Sequence, residues 1–389
     1  KRFFIEGAEW AAGVYAATNC ARITGNGLLI VGAEPGQWAN GGSDDNWSSA
    51  GNWIAGIIPN GLYADANLSA AVSNEAPVRT LGMDIAAITN KQVVFSSSVA
   101  GAVLTNTCPV GVTNTLYLAA DGVIEVGEGQ TLVLDHDLCI MGSVFKRGLG
   151  TLILRRRTFA LPALVTSSST IYITVDSGKV INEGPMSNVL VSVGKLSRTD
   201  PGPTPEFVLA DTPDASIGGT SFVTAINMQS TAPGPGIFTQ SGGTFIPAIT
   251  WGNQVCLAVT TPVVSTIGTG TYNLVNGTLI VSNTLYFGRN GGVVDGHYGI
   301  FNQSGGTADV VQLGGAWGEV NLTGGIFKLG SVMGNIGTGV TLHLGGGRLA
   351  PKTTAWVTIP IPTVFTGING NMTFAPEAGR VVRLSGVST

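Results

Sequence analysis

The residues best equipped for chemistry are Asp135, His136 and Asp137, with Lys146 and Arg147 in the next apolar phrase. Carboxylates clustered with a Lys or Arg base serve polysaccharide lyases, and two carboxyls about 5 to 10 Å apart serve glycosidases. Strand alternation, however, puts Asp135 and Asp137 on the face opposite the one that Leu132 and Leu134 need, so the trio reads as a solvated turn. Arg155, Arg156 and Arg157 form a basic run that reads as an outer face rather than an anion or glycan site. His297 beside Tyr298, with Asp295, sits in a Gly-rich stretch and reads as a plain loop. Asp44 and Asp45 are possible Ca²⁺ ligands, but they lack the glycine-rich nonapeptide grammar of a calcium-binding β-roll. Catalytic, cofactor and metal residues are therefore assigned to none.

Cys20, Cys108, Cys139 and Cys256 match no zinc spacing, and they read as buried or unpaired residues. Cys108 and Cys139 lie 31 residues apart, which one or two coils of a repeat fold could bring side by side, so a disulfide there is the alternative reading. Lys and Arg total 19 against 23 Asp and Glu, a formal charge of −4 that gives no basic field for nucleic acid. No uncharged apolar run reaches the roughly 18 to 20 residues of a membrane helix. With 44% hydrophobic and 11% charged residues, the chain has ample material for a long core. It begins at Lys1 without Met or a signal peptide, so the numbering reads as a mature or excised segment.

The elements that position these residues are written in a recurring phrase: FTQSGGTFIP from Phe238, YNLVNGTLIV from Tyr272, FNQSGGTADV from Phe301, VNLTGGIFKL from Val320 and LHLGGGRLAP from Leu342. Positions 1, 3, 8 and 10 of the phrase are mostly apolar, and position 6 is always glycine: Gly243, Gly277, Gly306, Gly325 and Gly347. Two short strands around a glycine corner satisfy that pattern, with alternate side chains pointing inward. Variable spacing between copies is the mark of a solenoid with insertions. Residues 1–35 read as a terminal coil resembling the end of a repeat unit, and 36–61 as an opening segment in which Trp47 and Trp53 cap a core edge. Residues 62–196 read as the first part of the solenoid, 197–236 as a Pro/Gly-rich excursion, and 237–389 as the second part. Helix content is expected to be very low. The sequons at Asn46, Asn67, Asn276, Asn302, Asn321 and Asn371 read as by-products of the repeat grammar.

GSVFKRGLGTLIL, from Gly142 to Leu154, resembles the Gly-rich signature of autotransporter-associated β-strand repeats, and YNLVNGTLIV and FNQSGGTADV are similar to phrases of related bacterial surface proteins. Here the phrase that often closes such a unit, Gly13 to Gly32, precedes the Trp-rich phrase that often opens one, Trp38 to Gly61. The resemblance implies an all-β, single-stranded parallel β-helix, usually right-handed, exported to the cell surface or beyond, and it does not imply an enzyme. A coil stacked about 4.8 Å from the next leaves a ladder edge at each end of the rod. The expected activity is head-to-tail association with copies of itself, through Phe3, Phe4 and Ile5 at one end and Val381, Val382 and Leu384 at the other. An adhesin or glycan-binding module is the alternative, with Trp251, Trp317 and Trp356 as candidate exposed aromatics, and a β-helix lyase or glycosidase comes after it.

Overall fold

Period-two alternation has its physical consequence in a three-faced parallel β-solenoid. In the computed structural model the chain is described at residues 4–5, 8–9, 13–15, 29–31, 36–161, 171–187, 189–194, 203–210, 235–246, 255–259, 269–289, 298–333, 339–352, 356–367, 372–374 and 380–386. Among these there is no α-helix, only three short 3-10 turns within 50–71.

The first face holds twelve successive strands, joined by eleven parallel pairings: Val78–Gly82, Val103–Thr107, Thr131–Asp135, Thr151–Leu154, Lys179–Asn182, Glu206–Leu209, Gly236–Gln240, Thr269–Leu274, Tyr298–Gln303, the start of Trp317–Val332, the start of Gly339–Pro351, and Thr363–Phe365. At about 4.8 Å per rung this face extends on the order of 50 Å. Coil length varies from 19 residues (319−300, Ile300 to Glu319) to 34 (271−237, Ile237 to Thr271), because insertions leave at the corners and the ladder stays in register. The second face runs through Ala87–Asn90, Thr115–Leu118, Asp137–Ile140 and Thr158–Ala160, and later through 278–281, 307–310, 326–329 and 348–351. The third runs through Asp65–Asn67, 92–95, 123–126, Val144–Arg147 and Tyr172–Val175.

Inward positions stack residue upon residue. On the first face one column reads Leu104, Leu132, Leu152, Val180, Phe207, Phe238, Tyr272, Phe301, Val320 and Leu342. Within it Phe207 and Phe238 stack at 5.4 Å with planes 9° apart, Phe238 meets Tyr272 at 4.9 Å, and Tyr272 meets Phe301 at 5.6 Å. The strand spacing thus sets an aromatic stack in the range where ring pairs attract. The second inward column carries amides as well as leucines: Leu81, Asn106, Leu134, Leu154, Asn182, Leu209, Gln240, Leu274, Gln303, Leu322 and Leu344.

The five corner glycines all have φ between 61° and 84°. They also lie under one another: a β-carbon on Gly277 would come 2.4 Å from the Gly243 oxygen, and one on Gly306 would come 2.4 Å from the Gly277 oxygen. Glycine is needed there for both backbone angle and rung approach.

One expectation is corrected. Glu206–Leu209, inside the stretch read as an excursion, is a full rung between Lys179–Asn182 and Gly236–Gln240, because EFVL alternates correctly despite its proline neighbours. Cys108 and Cys139 are buried free thiols, as the reading of buried or unpaired cysteines expects. Cys108 turns toward the Asp135 carbonyl at a corner, whereas Cys139 lies mid-strand on the second face between Tyr117 and Phe159. Cys20 lies outside the described residues, and Cys256 lies within the strand Val255–Val259.

Candidate functional site: the two ends of the solenoid

The ends of this rod are unlike each other. At the N-terminal end, residues 36–61 fold over the first coil and hydrogen-bond to all three faces. On the first face the Trp47 amide donates to the Gly82 carbonyl at 2.9 Å and the Gly82 amide donates to Asp45 at 2.9 Å. On the second, the Gly61 amide donates to Thr89 at 2.7 Å and the Thr89 amide donates to Asn60 Oδ1 at 2.9 Å. On the third, the Trp38 amide donates to Asn67 at 2.8 Å and the Asn67 amide donates to Gly36 at 2.7 Å.

Above these bonds Trp38, Trp47 and Trp53 are fully or almost fully buried, with Trp53 edge-on to Trp38 at 4.9 Å and to Trp47 at 5.1 Å. Buried Asn52 holds the loop, its amide nitrogen donating to the carbonyls of Asp44 and Asn46 and its oxygen accepting from Gly42. Asp44 accepts from the Asn46 amide and the Ser49 hydroxyl, bonds that hold its carboxyl below the usual range, and Asp45 pairs with Arg79. Both candidate calcium ligands therefore serve the cap.

At the C-terminal end the last described rung consists of Thr363–Phe365, Thr373–Phe374 and Val381–Leu384. Phe365 follows Leu344 in an inward column, and Phe374 follows Leu349. Both are nevertheless exposed, at 49% and 40%, and their rings meet at 6.4 Å. Met372, Val382 and Leu384 are half-buried against the same core, and Val381 is exposed. Core positions become surface here because no further rung among the described residues lies over them.

Of the predicted association residues, Val381, Val382 and Leu384 thus lie on the end coil, paired with Trp356, Val357 and Ile359. Phe4 and Ile5 form a short antiparallel pair with Ala8–Glu9, and Phe3 lies outside the described residues. The repeat phrase does not point to Phe365 and Phe374, because their place in the columns depends on insertion lengths that it does not carry. Continuing the Leu342 and Leu344 alternation one coil onward, to Thr363 and Phe365, is the available signal.

The Asp135–Asp137 cluster is a corner ion-pair series. Arg155, Arg156 and Arg157 pair with Glu183 at 3.1 Å, Asp135 at 2.9 Å and Asp137 at 2.7 Å, tying adjacent coils. His136 is buried among them with Nδ1 at 3.1 Å from the Asp137 carbonyl oxygen, and burial pushes its pKa down to about 4. Lys146 points inward rather than outward. Its ammonium donates to the carbonyls of Gly148 at 2.5 Å, Gly150 at 2.7 Å and Ser177 at 3.0 Å. Burial pushes its pKa down to about 7, while the three oxygens favour its proton. His297, Asp295 and Trp251 lie outside the described residues.

The chain matches no protein-family model, no curated protein and no solved structure.

Proposed function

We propose that the protein is an extracellular structural β-solenoid that assembles head to tail, each C-terminal end coil receiving the N-terminal segment of the next copy. The observation that carries the reading is the asymmetry of the ends. The Trp loop covers every face at one end, whereas Phe365 and Phe374 continue core columns into solvent at the other. Among the described residues each strand of that edge pairs on one side only, so the edge offers apolar area and a ladder for strand addition.

The proposed occupant is residues 1–31 of a second copy. Among the described residues, 4–5 with 8–9 and 13–15 with 29–31 pair only with each other, antiparallel and ahead of the cap. The phrase from Gly13 to Gly32 is also the one that resembles the close of a repeat unit. The extracellular setting rests on the same resemblance.

Electron microscopy and light scattering of the full chain over a range of concentrations test this. Fibres with an axial repeat near one subunit length are expected, and the double variant Phe365→Asp/Phe374→Asp is expected to remain as single rods. Monodisperse wild-type rods at high concentration, or fibres indifferent to the double variant, would defeat it.

A further inference from the structure

The outer surface of the first face, short of the last rung, carries a cluster of aromatic, amide and acidic side chains. Outward positions on three consecutive rungs form a grid. One column holds Trp317 and Gly339, with Tyr298 at the start of the preceding strand, the next Ile300, Glu319 and Thr341, and the third Asn302, Asn321 and His343. Rungs are about 4.8 Å apart and alternate residues along a strand about 7 Å apart, so the grid has the dimensions of a short oligosaccharide.

Trp317 is 43% exposed on this surface. A β-carbon on Gly339, which would project outward from the sheet, would come 2.1 Å from Trp317 Cε3 and 2.6 Å from Cζ3. The Cε3–Cζ3 edge of the six-membered ring therefore covers Gly339, and the rest of the indole is partly open to solvent. An indole held against a rigid sheet at the neighbouring rung offers exposed aromatic surface at little entropic cost, the kind of surface against which the C–H face of a pyranose ring packs.

Beside it stands a positioned acceptor. Glu319 Oε1 accepts from Asn321 Nδ2 at 3.0 Å, Oε2 accepts from the Tyr298 hydroxyl at 3.3 Å, and His343 Nε2 lies 3.8 Å from Oε2. Asn321 Nδ2 also donates to Asn302 Oδ1 at 2.9 Å, and Asn302 Nδ2 to Asn273 Oδ1 at 2.9 Å, so the amides form a fixed ladder along the rod. A carboxylate held by neutral donors retains lone pairs for sugar hydroxyls and repels anionic sugars.

We infer that this patch binds a neutral glycan, one hexopyranose ring seated on Trp317 and the next reaching Glu319, Asn321 and His343. The site is independent of end-to-end assembly, because none of its residues lies on an end coil.

The test is calorimetric titration of the full chain with cellotetraose and laminaritetraose, and with tetragalacturonate as the acidic counterpart. A neutral tetrasaccharide is expected to bind with micromolar to millimolar affinity and tetragalacturonate at least tenfold more weakly. Trp317→Ala is expected to lose at least tenfold in affinity with an unchanged circular dichroism melt, and Trp317→Tyr to retain most of it. Gly339→Ala touches no ligand group yet forces the ring off the sheet, so it is expected to reproduce the Trp317→Ala loss. No heat with either neutral tetrasaccharide, a preference for tetragalacturonate, or binding indifferent to both Trp317→Ala and Gly339→Ala would overturn the assignment.

Discussion

The hydroxyl of Tyr272 donates to the side-chain oxygen of Gln240, one rung earlier, at 2.6 Å in a fully buried setting. The Gln240 amide nitrogen in turn lies within 3.1 to 3.2 Å of the carbonyls of Gly242, Gly243 and Thr278. One glutamine thereby ties its own glycine corner to the next coil. Gln303 repeats the nitrogen contacts with Gly305, Gly306 and Ile326, but the residue above it in the aromatic column is Val320, and its oxygen has no partner among the described residues. Removing one partner of a buried hydrogen bond costs about 1 to 3 kcal/mol, because the other group stays desolvated. Tyr272→Phe is accordingly expected to destabilise the wild type by about that amount, measured by urea denaturation. In a Gln240→Met background the same change should be neutral or stabilising, since the hydroxyl then has nothing to bond. Equal effects in both backgrounds would show that the bond contributes nothing.

The corner glycines separate two costs of a β-carbon. Gly129 has φ 68° and open space within 4 Å of where a β-carbon would sit, whereas Gly306 has φ 61° and the Gly277 oxygen 2.4 Å from that position. Gly129→Ala should lose only the about 1 to 2 kcal/mol of the left-handed backbone. Gly306→Ala should lose more, because the next coil must also move. Melting temperatures of the two variants check the ranking, and equal losses would mean that the stack tolerates a methyl group.

The ladder was legible in the sequence because both of its determinants are local: alternation of Phe238 with Gln240 or Leu342 with Leu344, and a glycine at a fixed offset. What was not legible depended on context. Lys146 falls at an inward position of VFKR and is buried because three carbonyls at the Gly148–Gly150 corner and Ser177 receive its ammonium, an arrangement that exists only once coils stack. Glu206–Leu209 was obscured by the prolines around it, although its own alternation is regular. Trp47 and Trp53 were legible as a cap, since aromatic residues in a loop-rich opening have few other places to be buried. The three-face attachment of that cap through Gly36, Asp45 and Asn60 was not.

Asn106 stands in an inward column between Leu81 and Leu134, completely buried, with neither its side-chain oxygen nor its nitrogen bonded to a described residue. Leucine has nearly the same shape and matches both neighbours. Replacing an unsatisfied buried amide by an isosteric apolar side chain removes a desolvation penalty, so Asn106→Leu is expected to stabilise the fold by about 1 to 2 kcal/mol. Chemical denaturation is the measurement, and a destabilised variant would mean that the amide is hydrated or bonded in solution.

His136 and Asp176 oppose one another in acid. Burial holds His136 down to about 4 from an ordinary 6.5, so the unfolded chain binds more protons between those values and stability falls as pH drops through that window. Burial raises Asp176 to about 6 from 3.8, against the lowering effect of Arg147 at 3.3 Å, so the folded chain binds more protons there and stability rises as pH drops. Each shift corresponds to about 3 kcal/mol over its full span, and between about pH 4 and 6 the two slopes largely cancel. Asp176→Asn removes the compensating branch. Between pH 6.5 and 4.5 the variant is therefore expected to lose stability more steeply than wild type, while His136→Gln should instead gain stability relative to its own value at pH 6.5. The slope of unfolding free energy against pH separates these effects from any constant loss caused by the substitutions, and parallel slopes in all three proteins would mean that neither group titrates from a buried state.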